Sequence, residues 1–332
     1  MIAGDGVGRE VTEAAVGLLQ AVTDDVEIVY ADAGWQTFCD CGNSVPNESL
    51  EAIRQCGAAL FGAVSSPAKK VDGYRSAILK IRQELDLYAN LRPVKSDWNP
   101  NQIEHDVDLM IVRENSEGLY SGRERLAEDV AIAEKVVTKA ASMRIGNRAL
   151  IVAEERSREV LIAHKANVLP VSDGLFRDCV REAILSSPKE PAISVTEGLA
   201  DIVAYRLVAA PEQFDVIVTT NMFGDVLSDI AAHWCGGMGR APSLNIGDDL
   251  AVAEPVHGSA PDIAGQGIAD PAATMLALSM LARCFWKDRL LAERLESAVV
   301  QATREIANQT FTTAKFLELA CVAARQLEQR VL

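Results

Sequence analysis

No apolar run in this 332-residue chain approaches the roughly 18 residues that a membrane-spanning helix needs. No basic stretch followed by an apolar core opens the sequence, so no secretory signal peptide is visible. Cationic residues are also in short supply: 32 Lys and Arg stand against 47 Asp and Glu, a formal net charge of −15. That excess repels phosphate backbones and disfavours nucleic acid as a partner, so a polyanionic substrate would need a local nest of Arg and Lys. With only 22 Gly and 12 Pro, and no repeat or low-complexity tract, disordered and collagen-like chains are excluded. The seven cysteines are odd in number and scattered, which suits a reducing compartment better than a disulfide framework. Cys39 and Cys41 have no His nearby, so they do not read as a zinc site. A composition of 49% hydrophobic and 24% charged residues remains, enough chain for about two domains of a globular, cytoplasmic protein without a membrane segment.

Helical and extended patterns alternate from the start. Val11, Ala14, Ala15, Leu18, Leu19 and Val22 recur at helical spacing and predict a helix over 9–22. Strands are predicted at 26–31, 58–64, 108–113, 160–163 and 215–220, and part of a helix at 50–55. Polar residues follow each strand, where open α/β sheets place their chemistry. From Pro271 onward the pattern is almost all helical, so the fold class is α/β with more helix than strand. Only three residues precede the cluster Gly4-Asp5-Gly6-Val7-Gly8, too few on this reading for the strand that normally leads into such a turn. Its G-x-G-x-G spacing is not the G-x-G-x-x-G of a dinucleotide loop, so it reads as a tight turn before a helix.

Several segments carry candidate chemistry. Arg82 and Arg92 flank RQELDLYANLR, and Arg113 ends a later strand; they are either surface charges or forked donors for a polycarboxylate. Tyr120 closes RENSEGLY and is either structural or a proton donor, a role that needs a cationic neighbour because a free tyrosine titrates near 10. Lys165 follows a strand and is either a solvated charge or an amine held beside carboxylates. Asp225 and Asp229 in GDVLSD are four apart and share a helical face, where they repel each other unless solvated or bridged by a divalent cation, Mg²⁺ or Mn²⁺. Asp201 opens DIVAYRL as a third ligand or a helix cap. The loop EPVHGSAPDIAG (254–265) holds His257 and Asp262; it is either an ordinary surface loop or a wrap for adenine and ribose, with Asp262 accepting from ribose hydroxyls and repelling a 2′-phosphate.

In order, GDGVGREV, LDLYANLRP, VRENSEGLY, HKANVLPVSDGLF, NMFGDVLSD and EPVHGSAPDIAG resemble the β-decarboxylating dehydrogenases, the isocitrate/isopropylmalate dehydrogenase family, over nearly the whole chain. DAGWQTF (32–38), FGAVSSP (61–67) and KVDGYRSAI (70–78) look most like the homoisocitrate dehydrogenases within it. The resemblance implies an isopropylmalate-dehydrogenase-like two-domain fold, not a Rossmann fold. Its large domain would be discontinuous, 1–93 with 236–332, and its small domain, 94–235, would supply the dimer contact. It implies that Arg82, Arg92 and Arg113 hold the malate carboxylates and that Tyr120 and Lys165 form the acid–base pair. Asp201, Asp225 and Asp229 would bind the metal, the first reaching across from the partner subunit of a homodimer or higher oligomer. NAD would meet Asn115, Asn167, Glu254, His257, Gly258, Ser259, Ala260, Asp262, Ile263 and Asp270.

The chain departs from the family pattern in two places. The first strand is largely absent, and Asp270 stands in IADP where the family usually has asparagine near the adenine. The resemblance also implies that the helix running into Arg82 reads the group on the substrate's third carbon. Ile78 and Leu79 lie one turn back from Arg82, with Arg75 and Ser76 two turns back and Lys69 and Lys70 beyond. An isopropyl group would leave Ser76 or Arg75 desolvated without a partner, whereas a distal carboxylate would use Ser76, Arg75 or the lysines at 69 and 70. The apolar pair leaves room for an added methylene. The expected order is therefore homoisocitrate, isocitrate, then isopropylmalate. A regulatory subunit would be expected to lose part of the acid–base and metal set, and this chain keeps all of it.

Overall fold

The computed structural model describes residues 1–101, 105–187, 192–307 and 309–331. Among them the strands are β1 (Ile2–Gly4), β2 (Ala58–Ala63), β3 (Ala89–Lys95), β4 (Asp108–Glu114), β5 (Glu124–Ala127), β6 (Val130–Ala133), β7 (Glu159–His164), β8 (Ser194–Leu199), β9 (Val216–Thr219), β10 (Pro242–Ile246) and β11 (Ala251–Pro255). The helices are α1 (Gly8–Val22), α2 (Trp35–Cys41), α3 (Asn47–Cys56), α4 (Ala77–Glu84), α5 (Lys139–Glu154), α6 (Ser172–Leu185), α7 (Ala200–Ala209), α8 (Asn221–Ala231), α9 (Ala272–Met280), α10 (Arg289–Ile306) and α11 (Thr313–Val331). None of them is long and apolar enough to cross a membrane among the described residues.

The chain divides into two compact units: Met1–Leu87 with Asp97–Ile103 and Cys235–Leu332, and Tyr88–Ser96 with Glu104–Trp234. The sequence division ran instead at 93/94 and 235/236. In the first unit the strand order is β1-β2-β11-β10, parallel except for the antiparallel β10–β11 pair. Every residue of α9 is buried, because this helix is apolar on all sides and packs against α1, α10, β10 and β11. In the second unit the order is β3-β4-β9-β7-β8, parallel except for β3–β4, and β5 and β6 form a separate exposed hairpin.

Two expectations near the start of the chain are corrected. A first strand does fit ahead of the glycine cluster: Ile2 and Gly4 pair in parallel with Phe61 and Ala63. Gly4 has φ 74°, and a Cβ there would lie 1.8 Å from the Ala63 carbonyl oxygen, so the approach of the two chains needs glycine. Residues 26–31, expected as a strand, are irregular. Met1, just ahead of β1, bonds this segment, its amine donating to the Val29 carbonyl and its carbonyl accepting from the Ala31 N–H, at 2.6 and 3.0 Å. Asp5, between the glycines, accepts from the backbone N–H groups of Trp35, Gln36 and Ser65 at 2.8, 3.0 and 2.9 Å, so it ties the cluster to two loops.

Candidate active site

In the second unit β3 and β4 run antiparallel, with Asn90 opposite Arg113 and Arg92 two residues further along. Helix α8 packs against β4. Asn221, Asp225, Ser228 and Asp229 recur on α8 at the spacing of one helical face, and that face meets the two buried arginines. Arg113, 1% exposed, donates through Nε and Nη2 to the Asn221 amide oxygen at 3.0 and 2.8 Å, and through Nη1 to Asp225. Arg92 donates to Ser228 Oγ at 2.6 Å, to Asp225 Oδ1 at 3.2 Å and to Asp229 Oδ1 at 3.4 Å, while Asn90 fixes its Nε at 2.7 Å. These forks are held by neutral partners on one side and carboxylates on the other, which pre-sets them for planar anions.

Tyr120 sits in a short turn after Gly118, whose backbone pairs with Val136. Its hydroxyl donates to Asp225 Oδ2 at 2.5 Å, and the Arg113 guanidinium carbon lies 5.1 Å from the ring centroid. The cationic neighbour that a proton-donating tyrosine needs is therefore present. Burial raises the phenol pKa and the Asp225 hydrogen bond raises it further, against the opposing pull of Arg113.

Lys165 follows β7, and its ammonium donates to Asp201 in the first turn of α7. That hydrogen bond holds the Asp201 carboxyl below its usual range. Among the described residues, no three His, Cys, Asp or Glu side chains gather closely enough to hold a metal ion. Asp225 and Asp229 nevertheless suit a hard cation. Burial raises the Asp229 carboxyl, Arg92 lowers it, and the nearby Asp225 charge raises it again, a conflict that a divalent ion relieves.

In the first unit Arg82 donates to Glu254 Oε1 at 2.8 Å, and the Asn245 amide donates to the same oxygen at 2.7 Å. Glu254, expected at the cofactor, is thus bonded to Arg82, expected at the substrate. The loop that follows is anchored at several points: Ser259 Oγ bonds Ser65 Oγ at 2.7 Å, the Val7 N–H donates to the Ser259 carbonyl, and the Gly267 N–H donates to Glu10 at 3.0 Å. Gly258, Ala260 and Asp262 are exposed, while Ile263 packs beside Val7 and Val11. Burial lowers the His257 pKa. Asp270 receives Arg240 at 2.8 Å and the Ala272 N–H at 3.0 Å. Its charge therefore has a cation of its own, and that cation is bound in turn by Thr303 at 2.6 Å. In the second unit Asn115 is buried at the end of the β4 segment, and Asn167 is exposed two residues after Lys165.

Ser76 stands half-buried just before α4, and Leu79 is half-buried too. Ile78 is a core residue, 9% exposed among Ile2, Leu50, Phe61 and Ile81, so it is not available to a substrate and the expected apolar pair reduces to Leu79. Residue-by-residue reading also missed Asn90, Asn221 and Ser228. The i, i+4, i+7, i+8 pattern from Asn221 was the signal that could have found the last two.

Residues 1–328 match the family described as isocitrate/isopropylmalate dehydrogenase. The chain belongs to that family. An isocitrate/homoisocitrate dehydrogenase of Thermus thermophilus is 53% identical over 300 residues, 90% of this chain and 88% of that one. A homoisocitrate dehydrogenase of Methanocaldococcus jannaschii is 44% identical over 294 residues, 85% and 83% of the two chains. The crystal structure of isocitrate dehydrogenase from Methylococcus capsulatus superposes with a TM-score of 0.90 at 36% identity, covering 98% of each chain. The fold is accordingly that of the isocitrate/isopropylmalate-type dehydrogenases, and the protein is a β-decarboxylating dehydrogenase. The family generally uses a divalent metal and NAD(P).

Proposed function

We propose that the protein oxidatively decarboxylates homoisocitrate to 2-oxoadipate with NAD⁺ and Mg²⁺ or Mn²⁺, as a cytoplasmic homodimer or higher oligomer, a step of lysine biosynthesis. The reading rests first on the cluster in which Arg92, Arg113 and Tyr120 all meet Asp225. Asp225 and Asp229, with Asp201 of the partner subunit, would hold the metal. When bound, such a cation would lower the pKa of the substrate hydroxyl and offset enolate charge, and NAD⁺ would supply the hydride acceptor. Arg82, Arg92 and Arg113 bind and orient the carboxylates. Lys165, as the neutral amine, removes the hydroxyl proton. Loss of CO₂ leaves an enolate, and Tyr120 delivers the proton to its carbon, with Arg113 beside the ring to offset the phenolate charge. The exposed Asp262 would accept from the adenosine ribose hydroxyls and would face a 2′-phosphate with like charge, which favours NAD⁺.

Substrate choice rests on Ser76 and Leu79 at the head of α4 and on the names of the Thermus and Methanocaldococcus relatives. The first of those names also favours isocitrate as a second substrate. One methylene discriminates by only about 1–3 kcal/mol, so both acids should turn over. A steady-state panel of homoisocitrate, isocitrate, isopropylmalate and tartrate, each with NAD⁺ or NADP⁺, tests the reading. We expect kcat/KM to fall in the order homoisocitrate, isocitrate, isopropylmalate, with NAD⁺ strongly preferred. Isopropylmalate at the top, or equal efficiency with NADP⁺, overturns it.

A further inference from the structure

Asp173, in the first turn of α6, is wholly buried at 0% exposure. A carboxylate removed from water in this way must be fully compensated. One of its oxygens takes the Lys135 ammonium; the other accepts from the backbone N–H of Lys165 at 2.8 Å. Lys135 lies on the segment whose next residue, Val136, exchanges two backbone hydrogen bonds with Gly118, at 2.8 and 3.3 Å, two residues before Tyr120. The Lys135 ammonium also rests 5.0 Å from the centroid of the Phe223 ring, on the helix that carries Asp225. One buried ion pair thus touches the backbone of Lys165, the strap that holds the Tyr120 turn, and α8.

We infer that Asp173 and Lys135 are positioning residues: the pair holds the backbone of the proton acceptor Lys165 on one side and the turn that carries the proton donor Tyr120 on the other, whichever subunit's site each of the two serves. This inference rests on the acid–base reading of Lys165 and Tyr120 given above. A local turn staple would need only the bond from the Lys165 N–H, which an asparagine oxygen also accepts. The tie to the Tyr120 segment needs the charge pair. Neither residue touches Arg92 or Arg113 through a hydrogen bond or ion pair given above, so substrate binding should be spared when the pair is broken.

The test compares Asp173→Asn, Lys135→Met and the double variant Lys135→Met/Asp173→Asn with the wild-type enzyme, reading kcat, KM and melting temperature. Each single variant should lose kcat by about ten- to a hundredfold, as small misplacements of reacting groups do. KM should stay within about twofold, the mark of an interaction that matters after binding. The double variant leaves no unpaired buried charge and should recover melting temperature while kcat stays low. If it recovers kcat together with melting temperature, the pair is only a structural staple and the inference fails. It fails equally if Asp173→Asn keeps wild-type kcat. Should a single variant not fold, the double variant decides by the same criterion. Lys165→Met serves as the separate control: loss of activity there upholds the acid–base reading on its own, and retained activity overturns that reading and the inference with it.

Discussion

His164 is the last residue of β7 and is buried beside Lys165, with Nδ1 accepting from the Ala166 N–H at 3.1 Å and Glu197 3.8 Å from Nε2. Burial lowers its pKa from 6.5, and Glu197 opposes this only in part. His257 is lowered in the same direction, again first by burial. A histidine depressed in the folded state stays neutral there while the unfolded chain takes up a proton. Its contribution is therefore present above pH 6.5 and is lost as pH falls through the depressed folded value. Asp229 and Asp270, whose carboxyls are raised by burial, act with the opposite sign, so a single melting curve mixes the two effects. A difference between variants separates them. We expect the melting temperature of His164→Gln to fall less between pH 7 and pH 5 than that of the wild type. Equal slopes would mean that His164 carries none of the acid sensitivity.

At the scale of the element, α8 shows how a helix can be read for function. Gly224 lies in its interior, where exchange for alanine ordinarily stabilises by about 0.5–1 kcal/mol. Here a Cβ would lie 2.5 Å from Cγ and 2.7 Å from Cβ of Arg113. The helix approaches the β4 arginine closely enough for Asn221 and Asp225 to hold its guanidinium, and glycine is the residue that allows it. Gly224→Ala should therefore destabilise, by about 1–3 kcal/mol if it behaves as an overpacked core, and should raise substrate KM as Arg113 is displaced. A higher melting temperature would refute this. Asp225 and Asp229 were legible in the sequence because they recur at a fixed local period, and the same period extends to Asn221 and Ser228, which were missed. Ile78 and residues 26–31 were not legible. Whether Ile78 faces substrate or core depends on β2 and α3, and whether 26–31 pairs depends on the chain around Met1, none of which a local window contains. Asp270 illustrates the same limit: it reads as a departure from the family pattern until Arg240, thirty positions earlier, is seen beside it.

At the scale of the whole molecule, the Lys165–Asp201 ion pair decides how two chains would share a site. The resemblance to the family implies that Asp201 reaches across from the partner subunit. Lys165, however, bonds Asp201 within the same chain. If Asp201 crosses, Lys165 crosses with it. Arg92, Arg113, Tyr120, Asp225 and Asp229 form the other half, tied together on β3, β4, α8 and the turn after Gly118. Each site of a homodimer then takes Lys165 and Asp201 from one chain and the arginine–tyrosine–aspartate cluster from the other. Mixing inactive Lys165→Met subunits with inactive Tyr120→Phe subunits should restore activity, because one of the two sites in a mixed dimer receives an intact half from each chain. With random pairing, half of the dimers are mixed and one site in each is intact, so about a quarter of the wild-type activity should return. Mixing Lys165→Met with Asp201→Asn should restore none, since every site then inherits one lesion or the other. Activity regained in that second mixture would place Lys165 and Asp201 in different sites and would break the pairing.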